Sequence, residues 1–261
     1  MVLRLPDRRL GVHAGRVPAG LDGNPNPITS PARTILLACV AHEVAESARD
    51  QRTLVAVDGA SGTGKSTFAD ELTRTLEARG RTVVRASVDS FHRPRAERYR
   101  LGNDSPEGYY RDSHDMSGLR DHLLDPFATG MGSIRVAIFD EPSDQPLEVS
   151  EEPVPAEAVL VIDGLFLHRP EVVECWDLSV YLVAGRRRES AWQDYLTMDL
   201  PADPLERAAE IEQRMTRARR RRYVEGQALY EREVAPLDRA NLVIDNDDLA
   251  RPELIARRRT P

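Results

Sequence analysis

The chain has 261 residues, 36 basic against 43 acidic for a formal net charge of −7, with 30% charged and 5% aromatic side chains. That length suits one α/β domain with a large core, and the acidic balance argues against a general nucleic-acid or anionic-membrane binder. Its longest clearly apolar run, Ile35 to Ala41, is far too short to cross a bilayer, and no apolar segment near the N-terminus marks a secretory signal.

Two cysteines, Cys39 and Cys175, form neither a disulfide framework nor a metal-ligand set, so buried thiols in a cytoplasmic protein are expected. Residues 1–29 are rich in Pro, Gly, Arg and Asn without a sustained period, and read as an irregular arm before a domain spanning 30–261. Ser30-Pro31 is a helix start, an N-cap followed by proline, and Leu36, Val40, Val44 and Ala48 follow at helical spacing. This helix should pack beside the first strand and carry no chemistry.

Residues 53–58, Thr-Leu-Val-Ala-Val-Asp, read as a buried strand running into Gly59, Ala60, Ser61, Gly62, Thr63, Gly64, Lys65 and Ser66, with Thr67 next. These match the phosphate-binding loop G-x-x-x-x-G-K-[ST]. Glycines there let successive N–H groups point inward at phosphate oxygens, and a helix N-terminus adds partial positive charge. The following helix carries Phe68, Leu72 and Leu76, with Gly80 at its end. Lys65 is the only lysine among the 36 basic residues; the other 35 are arginines. A compact point charge is thus kept for the position that reaches the β- and γ-phosphates.

Further strands are expected at 82–87, 159–162, 178–182 and 242–244. Between the first two of these lie a polar segment from Arg93 to about Arg111, read as a substrate-side loop, and a short helix from Met116 to Leu124. A hairpin is expected from the alternation of Ile134, Val136 and Ile138 and the return at Leu147 and Val149. An arginine-rich helical region from about 186 to 233 precedes the last strand. Strands alternating with helices mean an α/β fold with a parallel sheet covered on both faces.

Ligand crevices in such sheets lie beyond the carboxyl ends of the strands. Asp163, ending its strand, is a candidate carboxylate for Mg²⁺ beside the Ser66 hydroxyl, or else a turn aspartate before Gly164. Asp89, after the second strand, is a candidate general base, or else an N-cap. Arg214, Arg217 and Arg221 share a helical face with Arg219, Arg220 and Arg222 beside them; this is a lid over a triphosphate, a solvated face or a nucleic-acid patch. His92 and His114 are candidates to touch substrate, whereas His13, His42, His122 and His168 read as ordinary surface or core residues. Tyr109 and Tyr110 stack on a base or sugar, or simply pack.

The stretches 57–67 (VDGASGTGKST), 88–93 (VDSFHR), 108–112 (GYYRD), 159–167 (VLVIDGLFL), 219–230 (RRRRYVEGQALY) and 241–246 (NLVIDN) resemble the uridine kinase branch of the phosphoribulokinase/uridine kinase family of P-loop kinases. The resemblance implies a P-loop NTPase fold: a five-stranded parallel sheet flanked by helices, a small β-hairpin and an arginine-rich lid at about 193–233. It implies ATP- and Mg²⁺-dependent phosphorylation of a nucleoside 5′-hydroxyl such as that of uridine or cytidine. Lys65 and Asp89 would be catalytic, Ser66 and Asp163 near the metal, residues 59–67 with Arg217 and Arg221 on ATP, and Asp89, Phe91, His92, Tyr109 and Arg111 on the acceptor. The family's usual tyrosine after Asp-x-Phe is His92 here, the hairpin lacks its histidine and arginine, and Gln193-Asp194 replaces an Arg-Asp pair.

Two other readings stay open: a kinase of pantothenate or a sugar, and a regulatory NTPase that binds a partner. A Ras-type GTPase needs a second lysine in its guanine-reading motif, and none exists. A dinucleotide-binding dehydrogenase leaves Lys65 unexplained and has Thr67 where its third glycine belongs. The partners expected are a small-molecule acceptor such as a nucleoside, with room for a homo-oligomer and with no nucleic acid and no membrane.

Overall fold

The computed structural model describes residues 30–47, 51–147, 151–185, 200–218 and 221–258. The predicted arm at 1–29, Gln193-Asp194 and the Arg214 and Arg217 side chains lie outside the described residues.

Strands β1 (Thr53–Gly59), β2 (Val83–Ser87), β3 (Val159–Gly164), β4 (Leu178–Val183) and β5 (Leu242–Asp245) run parallel in the spatial order β5-β4-β1-β3-β2. All five are the strands expected from the apolar runs. A sixth, β6 (Glu253–Arg257), pairs antiparallel with β5 and was not expected.

Strands β1 and β3 are buried along their whole length, as strands between two helical layers must be. Side chains alternate between the faces. Leu54, Ala56, Leu160 and Ile162 enter one core with Phe91, Leu119, Leu123, Phe127 and Phe166. Val55, Val57, Val159 and Val161 enter the other, against α1 (Pro31–Ser47) and α2 (Lys65–Glu77) through Leu36, Val40, Phe68 and Leu72. Helix α1 starts as predicted, with Ser30 Oγ accepting from the Arg33 N–H at 3.1 Å.

The segment read as a loop from Arg93 to Arg111 is instead largely helical. A turn at Arg95–Arg98 precedes α3 (Pro106–Asp112), whose N-cap Ser105 accepts from the Gly108 N–H at 3.0 Å. Tyr109 and Tyr110 on α3 are buried edge-on against Phe166, with centroids at 5.4 and 5.3 Å. Packing therefore takes the tyrosine pair. The helix expected at 116–124 runs on to Thr129 through a π turn at Arg120–Leu124. The hairpin forms as two short antiparallel ladders, Ser133–Ile134 with Glu152–Pro153 and Phe139–Asp140 with Gln145–Pro146.

Helix α4 (Pro204–Ala218) precedes α5 (Arg221–Val234), which lies against α3. Gly226 permits that approach, since a Cβ there would meet Tyr109 Cδ1 at 2.6 Å and the Pro106 carbonyl at 2.9 Å. The expectation of buried thiols fails at Cys39, which is exposed on α1; Cys175 is half-buried. No described helix is long and apolar enough to cross a membrane.

Candidate active site

The phosphate loop leaves the carboxyl end of β1 and folds as a cradle. Gly59, Gly62 and Gly64 all have positive φ (152°, 80° and 83°), which glycine alone adopts without strain. At Gly59 space is the second constraint, because a Cβ would sit 2.5 Å from the Leu182 carbonyl of β4. Thr63 Oγ1 donates to the Ala60 carbonyl at 2.9 Å and closes the turn. Lys65, buried in the first turn of α2, donates from Nζ to the same carbonyl at 3.0 Å, so its ammonium lies across the loop. Thr67 is half-buried one residue beyond Ser66.

The loop is held from three sides, none of which sequence reasoning assigned a role. Asp58, fully buried, accepts from the Gly59 N–H at 2.7 Å, from His168 Nδ1 at 2.8 Å and from the Tyr230 hydroxyl of α5. Burial and the Asp58 charge push the Tyr230 phenol well above its ordinary pKa, so it stays a donor. Gln227, also on α5, donates to Ser61 Oγ at 2.9 Å and accepts from the Ser61 N–H at 3.4 Å. Asn246, just past β5, donates to the Thr63 carbonyl at 2.7 Å, with Arg33 of α1 behind it. The motifs around Gln227 and Asn246 were visible in the sequence; their targets were not.

Ser66 Oγ donates to Asp163 Oδ2 at 2.7 Å, joining the start of α2 to the end of β3. Asp163 is buried and its other oxygen meets Arg85 Nη2 at 2.7 Å. Arg85 also donates to Asp70 Oδ1 at 3.0 Å; burial opposes its charge, but Asp163 and Asp70 raise its pKa on balance. A hydroxyl and carboxylate oxygens at the mouth of a phosphate loop are a hard donor set, and they fit Mg²⁺. Asp163 lies within β3, bonded to Ser66 and Arg85, and not in a turn. Gly164 serves a separate need, since a Cβ there would fall 2.0 Å from Val88 Cγ1.

Ser87 pairs in register with Asp163 across β2 and β3. Beyond it the chain makes a 3₁₀ turn, Val88–Phe91, whose N-cap is Ser87, not Asp89. Asp89 thus projects from the turn with a half-exposed side chain. The surrounding protein acts to raise its pKa, but contact with His114 and the charges of His92, His114 and Lys65 prevail and hold it at about 2. His114 Nε2 lies 3.5 Å from Asp89 Oδ1. Burial and the neighbouring His92 lower His114 to about 4 despite Asp89.

Of the other expected site residues, Phe91 is fully buried in the core and His92 is half-buried with its ring 4.5 Å from that of His114. Tyr109 is buried and its phenol raised, first by burial, then by Tyr223. Arg111 is engaged by Glu107 and by Glu233 of α5 at 3.1 and 2.9 Å. Arg221 is exposed and pairs with Glu225 at 2.6 Å, one turn along α5. Arg222, placed in the lid on resemblance, is buried instead, stacked on Tyr99 at 4.4 Å.

The profile of the Phosphoribulokinase / Uridine kinase family matches residues 54–200, more than half of the chain. The chain belongs to that family. This family member is 25% identical over 134 residues to the uridine kinase of Leuconostoc citreum (strain KM20). The match covers 49% of the chain and 60% of that relative, so the chain spans about three-fifths of the relative's length. Among solved structures it is similar to a possible uridine kinase from Bacillus stearothermophilus, with TM-score 0.61 and 22% identity over 81% of this chain and 96% of the other. A candidate fructose transport system kinase from Silicibacter sp. TM1040 has TM-score 0.56 and 23% identity over 74% and 94% of the two chains. The chain shares its fold with both solved structures.

Proposed function

We propose that the chain transfers the γ-phosphate of ATP to a hydroxyl of a small molecule, with a nucleoside 5′-hydroxyl as acceptor. The observation that carries this reading is the Ser66–Asp163 pair at 2.7 Å beside the loop, with an ionised Asp89 beyond the neighbouring strand in register. Asp89 takes the proton of the acceptor hydroxyl as its oxygen bonds to the γ-phosphorus. The bond to the β–γ bridging oxygen breaks and ADP leaves. Lys65 and the loop N–H groups hold the β- and γ-phosphates against that movement. Ser66 and Asp163 would hold Mg²⁺, which supplies neutralising charge on the phosphate oxygens.

The nucleoside assignment draws on the family and on the uridine kinase from Leuconostoc citreum. A second acceptor class, a sugar or other hydroxyl compound without a base, is favoured by one observation. Tyr109 and Tyr110, the aromatic pair read as stacking on a base or sugar, are both buried.

The test is ADP release with ATP and Mg²⁺ over a panel of nucleosides, sugars and pantothenate. Acceptor-dependent release identifies the substrate; hydrolysis independent of acceptor, or none, sinks the kinase reading in favour of a regulatory NTPase. Asp89→Asn should lower kcat roughly 10²-fold or more while ATP binding persists. Lys65→Ala should cripple the phosphate-dependent reaction.

A further inference from the structure

Asp89, His92 and His114 each offer a ligand atom, and these atoms all lie within 4.8 Å of one another. We propose that the three side chains form a site for a zinc-class divalent cation, distinct from the oxygen-rich pair at Ser66 and Asp163. The backbone sets the two histidines opposite each other. They face across an isolated antiparallel bridge, closed on one side by Arg93 N–H to the Ser113 carbonyl at 3.0 Å and on the other by Asp115 N–H to the Phe91 carbonyl at 2.7 Å. Opposed residues in such a bridge carry their side chains on one face, about 4.5–5.5 Å apart at Cβ.

The hydrogen bonds also select the lone pairs. His92 Nδ1 lies 2.7 Å from the Asp89 carbonyl, and a carbonyl only accepts, so Nδ1 carries the proton and Nε2 is left with its lone pair. Orientation of a ligating imidazole by a backbone carbonyl is the usual outer-shell arrangement of protein metal sites. His114 is only 2% exposed; its Nδ1 has no hydrogen-bond partner among the described residues, and its Nε2 meets only Asp89 Oδ1, at a long 3.5 Å. A buried imidazole left without a bond is costly, and a metal satisfies it.

Two imidazoles and a carboxylate match the three-ligand set of an open zinc site and suit Mg²⁺ poorly. Bonds of about 2 Å set ligand atoms roughly 3.3 Å apart around a tetrahedral ion, a closure of roughly 1.5 Å from their present span. Asp89 Oδ1 already lies 3.5 Å from His114 Nε2, so the closure falls mainly on the half-buried ring of His92. If Asp89 is the base, as proposed above, an ion here occupies the oxygen that must take the acceptor's proton, and Zn²⁺ inhibits. The site itself does not depend on that reading.

The experiment is calorimetric titration of Zn²⁺ into the chelator-treated, tag-free full chain in excess Mg²⁺, with no nucleotide or acceptor present. One bound equivalent is expected in the parent and in Asp163→Asn. Affinity should fall by more than about 100-fold in His92→Ala and in His114→Gln, beyond what loss of an outer-shell partner costs. His92→Ala removes a half-buried ring and carries the test if His114→Gln fails to fold, its circular dichroism and thermal transition being compared with the parent. Absence of binding, displacement of Zn²⁺ by Mg²⁺, or equal affinity in parent and His92→Ala overturns the site. Because no turnover is measured, the result stands apart from the fate of the kinase reading.

Discussion

Arg33 Nη1 donates to Asn246 Oδ1 at 2.9 Å, and through Asn246 an arginine on the first helix reaches the phosphate loop. Arg33 is fully buried, and its Nε also donates to Glu71 of α2 at 2.6 Å. A helix expected to carry no chemistry is therefore a brace, tying α2, the end of β5 and the Thr63 carbonyl together. Removing one partner of a buried ion pair costs far more than the pair contributes net, because the other charge stays desolvated. Arg33→Ala should lose about 3–5 kcal/mol of stability by urea denaturation. Asn246→Ala leaves that ion pair in place, so its smaller loss in stability should come with a raised KM for ATP.

What could be read in advance follows from how local each signal is. Strands β1 to β5 are short apolar runs, three of them ending in Gly or Asp, and the phosphate loop lies in eight consecutive residues; both are legible in one pass. Strand β6 was missed because Leu254 and Ile255 are exposed and charges flank them, so no alternation marks a buried face. The Arg93–Arg111 misreading has a different cause. Ser105-Pro106 is the same start signal as Ser30-Pro31, but Gly, Asn and charges around it outweighed the cap. At the site, Asp163 and Asp89 were legible from strand ends, whereas Gln227, Asn246 and Arg33 act across more than 160 residues of chain. Only the fold brings such partners together.

His114 makes stability depend on pH in a defined direction. Its folded value of about 4 lies below the ordinary 6.5, so the fold favours the neutral ring. The contribution is complete above pH 6.5 and is lost as pH falls toward 4, because the unfolded chain binds the proton first. At about 1.4 kcal/mol per pH unit, the parent should lose about 2 kcal/mol more than His114→Gln between pH 7.5 and 5. Chemical denaturation with a chelator present measures this. Parallel pH profiles for the two proteins would show that the ring titrates normally in the fold.

Gln227 couples α5 to the phosphate loop through two hydrogen bonds to Ser61. Its two hydrogen bonds fix a loop segment whose N–H groups must point at phosphate. Losing about 1 kcal/mol of that ordering corresponds to about a fivefold change in an equilibrium constant. Gln227→Ala should raise KM for ATP about fivefold, with kcat and KM for the acceptor nearly unchanged. A fall in kcat with unaltered KM would place Gln227 in the chemical step instead.

Adjacent arginines at the start of α5 should behave oppositely, although sequence placed both in one lid. Arg222 is 2% exposed, lies over Tyr99 at 4.4 Å and Tyr109 at 5.6 Å, and donates from Nη2 to the Arg98 carbonyl at 2.9 Å. Truncating it forfeits a desolvated cation–π contact and leaves a carbonyl of the 95–98 turn without that donor. Arg222→Ala should therefore cost about 2–4 kcal/mol of stability. Arg221 is 73% exposed and engages Glu225 in a solvated helical pair, which water screens and which contributes little to stability. Arg221→Ala should leave the thermal midpoint nearly unmoved. If it nonetheless raises KM for ATP, the side chain reaches the nucleotide by leaving Glu225; if neither quantity changes, it belongs to a solvated face.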